Sequence, residues 1–417
     1  MKQIICLFED EGFRNLLPLV YTRPVYDLQC GMFSLSKKIL TRVPNSRVIY
    51  HTRGYLAQVV RENEKRIVND FDYENILFIN GRVLIDDVSA KIISKLQNDS
   101  ILTADNSIVA AKLTKDNIKK FTGRLNDITN TTTFGDLPSK KINIRLINYP
   151  WDLIKNNIEE ITADFEFIKS KRAGKFSTFK SIEIQNKKNV IIEKGVKIDP
   201  FAFLDASYGP IYIGKNAHIM SHSSIQGPAY IGNTSVIKMH ASIYHGTSIG
   251  DVCKVGGEVE NSIIHSYSNK QHEGFLGHSY LGSWINIGAS TNNSDLKNNY
   301  SIVEVPISNK LVSSGLQFVG LIMGDHSKTS INSMFNTGSV VGVCCNIFGN
   351  GFPNKYLPSF SWGGSESLTE YRFDKAIEVI KSVMARRNVS LSETGISVLK
   401  NIFDMTSSER NELMNKK

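Results

Sequence analysis

The 417-residue chain predicts two folds in tandem, an open Rossmann-like α/β sheet followed by a triangular parallel β-helix, with a helical segment at its end. Three observations carry this reading. Short apolar runs alternate with helix-like stretches up to about residue 150, an aliphatic residue recurs at every sixth position through the middle, and a charged amphipathic run follows residue 362.

The α/β part rests on the runs Ile4 to Phe8, Arg47 to Tyr50, Asn75 to Ile79 and Ile144 to Asn148, read as strands. Between them lie helix-like stretches at 31–40 and at Leu56 to Lys65. Trp151 to Lys171 reads as a helical connector, and Lys171-Arg172-Ala173-Gly174 as a boundary. The expected domains are therefore 1–175, 176–362 and 363–417.

The middle is set by its period. Ile213, Ile219, Ile225, Ile231, Ile237, Ile243, Ile249 and Val255 recur every six residues, and Ile192, Ile198 and Leu204 keep the same step before them. Six residues advance a helix by about 600°, so these side chains would spiral around it instead of forming a stripe. A meander would need turn pairs, which are missing here. The period instead fits three short faces per coil, each giving one inward aliphatic, so that residues eighteen apart stack at about 4.8 Å. In the last part Phe373, Ala376, Ile377, Ile380, Val383 and Met384 fall at helical spacing.

Composition narrows the function classes. Hydrophobic content of 41% and charged content of 21% are those of an ordinary globular chain. No apolar run approaches the ~18 residues of a membrane span, and the five-residue run before Glu9 is too short for a secretory signal. Five cysteines, odd in number and without a CxxC, make neither a disulfide framework nor a zinc-thiolate site, so a reducing cytoplasm is the expected location. The net charge of +9 is scattered, which suits anionic small molecules and lacks the concentrated stripe of a nucleic-acid surface.

The stretch from His265 to Asn299 breaks the six-residue rule. Here His272, Leu276-Gly277 and Asn286-Ile287-Gly288-Ala289 align without a gap with Gly-His-Leu-Thr-Tyr-Leu-Gly and Asn-Ile-Gly-Ala-Gly-Thr. That pattern resembles the hexapeptide-repeat acyltransferases, specifically the acetyltransferase half of the bifunctional bacterial enzymes that make UDP-N-acetylglucosamine. The likeness extends along the chain to a divergent branch through Arg14-Asn15-Leu16-Leu17-Pro18-Leu19, Thr22-Arg23-Pro24, Pro150 to Leu153 and Gly351 to Gly364.

The resemblance implies a nucleotidyltransferase-like first domain, a left-handed β-helix and a homotrimer with acetyl-CoA bound between neighbours. It implies His272 as general base, Ala289 as the oxyanion donor through its N–H, Glu258 as the carboxylate near the imidazole and Asn286 as a sugar contact. The chain departs from the pattern at Phe275, Glu260 and Asp295, where the family has a tyrosine, a lysine and an asparagine that hold the acceptor. Lys270 and Lys297 are the cations expected to supply the missing phosphate charge. In the first domain the glycine-rich phosphate loop is reduced to Glu9-Asp10-Glu11-Gly12-Phe13-Arg14, with Arg14 and Arg23 as candidate phosphate ligands. Asp86 and Asp87 are the candidate ligands for Mg²⁺.

The expected activity is acetyl-CoA-dependent N-acetylation of an amino sugar 1-phosphate, with nucleotidyl transfer from a nucleoside triphosphate, UTP, to the sugar phosphate. Alternatives are an acyltransferase with a non-catalytic nucleotide-binding first domain, a thymidylyltransferase-type first domain, and a trimeric scaffold. A zinc β-helical carbonic anhydrase is a further rival, raised by His218, His222, His240 and His245.

Overall fold

The computed structural model describes residues 3–44, 46–124, 128–130, 132–170, 181–308 and 310–414. Its first sheet has seven strands in the order Ser139–Lys141, Ser100–Ala104, Ser107–Thr114, Asn75–Asn80, Gln3–Phe8, Ser46–Tyr50 and Ile67–Val68. Gln3–Phe8 lies parallel to both neighbours, and its last four residues are closed to solvent, as expected of a central strand covered on both faces. Ser107–Thr114 runs antiparallel to both of its neighbours, so the sheet is mixed. Ile144 to Asn148 is not a strand of this sheet. Only Arg145–Leu146 pairs there, with Val83–Leu84 in a separate two-stranded ribbon.

Helices α1 (Leu35–Arg42), α2 (Ala57–Glu62), α3 (Asp87–Ser94) and α4 (Lys115–Phe121) flank the sheet. The helix expected from residue 31 starts only at Leu35, because the Ser34 hydroxyl accepts the Lys37 N–H and caps it. Helix α5 (Pro150–Lys169) has proline in its first turn, where the missing N–H costs nothing. The predicted boundary at 171–174, and the domain limit at 175, lie outside the described residues.

From Glu183 the chain winds into three stacked parallel sheets. The first face runs from Glu183–Gln185 to Phe275–Gly277, the second from Val190–Ile192 to Tyr356–Leu357, and the third from Lys197–Ile198 to Asn269–Lys270. Single bridges from Asn269 to Asn286 and from Asn286 to Lys328 carry the third face onward. The aliphatic period becomes registered columns: Ile213, Ile231, Ile249, Ile264 and Leu281 on the second face, Ile219, Ile237 and Val255 on the third. These side chains share one buried core. A β-carbon on Gly232 would stand 2.4 Å from the Gly250 carbonyl carbon, so only glycine lets successive coils approach at that corner.

The α/β domain docks on the second face through α5. The Asn157 side chain donates to the Gly246 carbonyl (2.8 Å) and accepts from the Gly31 N–H (2.6 Å). Nearby, Lys38 pairs with Asp164 at 2.6 Å and Glu160 at 2.8 Å, all buried. Helices α6 (Phe373–Ala385), α7 (Glu393–Met405) and α8 (Ser407–Met414) complete the chain. Buried residues of α6 and α7 share one apolar cluster with the α/β domain and the outer side of the second face. Among the described residues no helix is long and apolar enough to cross a membrane.

Candidate functional site

With the α/β domain seated on the second face, the corner between the third and first faces stays open. His272 sits there, between Asn269–Lys270 and Phe275–Gly277, with its side chain exposed. The Ser290 N–H donates to the Glu273 carbonyl at 3.2 Å, which places Ala289 beside His272 on the adjacent coil. The Ala289 carbonyl accepts the Asn332 N–H at 2.8 Å, and its own N–H donates to no acceptor among the described residues. Asn286, also exposed, bridges Asn269 and Lys328 on the same coil as Ala289. An imidazole, a free amide N–H and a carboxamide thus gather on one edge of two successive coils. Such a set can take up a proton and stabilise an oxyanion.

Glu258 opens the strand beside Phe275, exposed, and its N–H donates to the Gly274 carbonyl at 3.2 Å, so it borders the His272 turn on the preceding coil; among the described residues it makes no hydrogen bond to His272. A second carboxylate, Glu273, adjoins the imidazole in the chain. Its pKa is held down by a 2.7 Å hydrogen bond from the Ser290 hydroxyl, with a smaller contribution from His272. The adjacency of His272 and Glu273 was the available sequence signal.

Lys270, expected to hold phosphate, is turned inward and is only 2% exposed. It pairs with Val255 in the inner column of the third face, and its ammonium donates to the carbonyls of Gly256 and His272, both at 2.9 Å. Burial pushes its pKa down to about 8. It positions the backbone of His272 and does not face a ligand. Lys297 donates to the Ile302 carbonyl at 2.8 Å and holds its own loop. Phe275 and Asp295 close together over Gly277, and Asp295 pairs with His278 Nδ1 at 2.8 Å.

In the α/β domain the loop after the first strand is filled by its own side chains. Asp10 accepts the Gly12 N–H (3.2 Å) and two guanidinium bonds from Arg82 (2.7 and 2.5 Å), while the Glu11 N–H is spent on the Thr129 carbonyl. Arg14 is exposed over the Phe13 ring. Arg23 does not reach that loop: it pairs with Asp325 of the β-helix and donates to Ser283 at 3.2 Å.

Asp86 and Asp87 do not make a magnesium site. The Asp86 carboxylate caps α3 by accepting the Ser89 N–H (2.7 Å) and hydroxyl (2.6 Å), and Asp87 points outward with Arg42 3.6 Å away. The histidines of the zinc reading do not converge either. His222 and His240 stack at 5.1 Å as their eighteen-residue spacing predicts, but His245 pairs with Gln226 and His218 with Asp199. Among the described residues no three such side chains are arranged to hold a metal.

The family described as Sugar nucleotidyl transferase matches residues 5–173. The chain is 30% identical over 98 residues to a bifunctional sugar-1-phosphate nucleotidylyltransferase/acetyltransferase of Sulfurisphaera tokodaii, covering 24% of each chain. It is 36% identical over 88 residues to a bifunctional protein GlmU of Methanocaldococcus jannaschii, covering 21% of each. The chain thus spans about a quarter of the length of the curated relatives it matches. The crystallised UDP-N-acetylglucosamine acyltransferase of Arabidopsis is 15% identical, with 57% of this chain and 97% of that one covered and a TM-score of 0.21. The stretch that matches sugar nucleotidyl transferases, residues 5–173, is joined in this chain to a parallel β-helix of six-residue repeats.

Proposed function

We propose that the β-helix transfers an acetyl group from acetyl-CoA to the amine of an amino sugar 1-phosphate, glucosamine 1-phosphate being the first candidate. We further propose that the α/β domain transfers a uridylyl group from UTP to a sugar 1-phosphate. The relative named for both activities supports this pairing. The observation that carries the first reading is the stacking of Ala289 beside His272, with Asn286 on the same coil.

In the proposed step the amine nitrogen attacks the thioester carbonyl, forming the C–N bond while the His272 imidazole takes the ammonium proton. The Ala289 N–H donates to the oxyanion that develops. Collapse breaks the C–S bond, and the thiol leaves with the proton carried by His272. No acyl-enzyme is required. The first face and the open corner beside it suit a homotrimer whose neighbours close over this edge.

The test follows free thiol release from acetyl-CoA with a panel of amino sugar phosphates. His272→Ala is expected to lower the rate by about 10²–10⁴, whereas His222→Ala on the same corner leaves it unchanged. Full activity in His272→Ala sinks the reading.

Asp10 and Arg82 favour a second reading for the α/β domain, in which it binds or positions without catalysing, because the loop amides are already occupied. Pyrophosphate release from UTP and sugar 1-phosphate by the full chain decides between the two. None, with acetyl transfer intact, selects the second.

A further inference from the structure

A second concave site lies against the third face, where α6 ends. It is a cavity of about 330 Å³ between the β-helix and the end of α6. Lys254 and Lys328 enter it from the third face, and Arg386 and Arg387 from the end of α6, with no carboxylate in its lining. The rings of Tyr267 and Trp284, stacked at 4.3 Å, form part of its wall.

Two of the cations are pinned. Arg387 donates to the Asn269 side chain, and Lys328 to the His326 carbonyl, each at 2.9 Å. The Lys254 ammonium and the Arg386 guanidinium meet no carboxylate among the described residues. Burial, together with Arg387, Lys238 and Arg386, depresses the Lys254 pKa, the mark of like charges crowded without a counter-ion. A fold that holds four cations around one cavity carries a standing repulsion, which a bound anion relieves. Paired guanidinium forks match a phosphoryl group better than a lone carboxylate.

We propose that this cavity binds the phosphoryl group of a small molecule, held by Lys254, Arg386 and Arg387 with Lys328 behind them. The argument stands on the cations and not on the transfer chemistry, so it survives or fails separately from the role given to His272. Gln271 and Asn286 also line the cavity, which places its mouth next to the histidine corner.

The experiment is calorimetric titration of the full chain with inorganic pyrophosphate and with inorganic phosphate. Pyrophosphate is expected to bind more tightly, and binding to weaken as salt is raised. Arg386→Gln with Arg387→Gln, and separately Lys254→Met, are each expected to weaken pyrophosphate binding by about tenfold or more. Lys400→Gln, on the exposed side of α7, leaves it unchanged. Should the double variant unfold, Lys254→Met alone decides. Pyrophosphate affinity unchanged in Lys254→Met and in a folded double variant, or no binding to the wild-type chain, overturns the proposal. Displacement by glucose 1-phosphate assigns the group to the acceptor, and displacement by adenosine diphosphate to a nucleotide-bearing reactant; either outcome supports the site.

Discussion

Arg23, in the Thr-Arg-Pro segment of the α/β domain, forms an ion pair with Asp325 of the β-helix, and the two side chains are 13% and 5% exposed. Thr22 donates to the same carboxylate at 2.6 Å, and Ser283 links Arg23 to His265 through a 3.1 Å contact. Burial alone would raise the Asp325 pKa, but Arg23 overrides it and holds the carboxyl below its ordinary range. A motif that reads as phosphate-binding is spent on joining two domains. Removing one partner of so enclosed a pair strands the other, at about 3–5 kcal/mol. Arg23→Ala is therefore expected to lower the denaturation midpoint in urea or split it into two transitions. A single unshifted transition would show the pair to be dispensable.

The same junction makes the fold acid-sensitive. His265 and His326 are held neutral, each with its pKa pushed down to about 3, chiefly by burial and further by positive charge, that of Arg23 at His265 and those of Lys328 and Arg23 at His326. Below the unfolded imidazole pKa of about 6.5 the unfolded chain takes up protons that the folded one refuses, so stability falls as pH drops from about 6.5 toward 3. The loss reaches about 2 kcal/mol for each histidine by pH 5. Asp325 acts in a separate window: its depressed pKa stabilises the fold above about pH 4, and that contribution goes only below it. Calorimetric melts at pH 7 and pH 5 measure the histidine effect, and His326→Gln should remove about half of it. A melting temperature equal at both pH values would refute the assignment.

The β-helix was legible because its period is a property of packing: Ile213, Ile231 and Ile249 fall into one column for the same reason that they recur at fixed spacing. The stretch that holds His272 stood out in the sequence because it interrupts that period. The fate of the cations was not. Arg23 and Lys270 carry charges that suit a ligand, and only the three-dimensional path decides that one meets Asp325, 302 residues away, and the other turns into the core. The cationic cavity was equally hidden, since it brings Lys254 to Arg386 from two elements far apart in the chain. Residues recruited across such distances leave no local spacing to read.

Lys270 offers the sharpest separation of stability from chemistry. The register places it in the column of Ile219, Ile237 and Val255, a position that the six-residue rule reserves for an aliphatic residue. Its pKa of about 8, against about 10.4 unfolded, means that the charged ammonium is disfavoured in the fold by about 3 kcal/mol at neutral pH. The sign follows from proton uptake. Between pH 8 and 10.4 the folded chain has shed a proton that the unfolded chain still holds, so wild-type stability rises with pH across that window. Lys270→Met fits the column and carries no charge, so its stability should lack that rise. It also releases the His272 carbonyl from its 2.9 Å anchor, and the proposed acetyl transfer should fall about tenfold to a hundredfold through kcat, with KM little changed. Urea denaturation at pH 8 and pH 10 reads the first effect, and thiol release the second. A Met variant that keeps the alkaline rise would show that the ammonium does not bear the burial cost, and one that keeps wild-type kcat would show that it does not set the histidine turn.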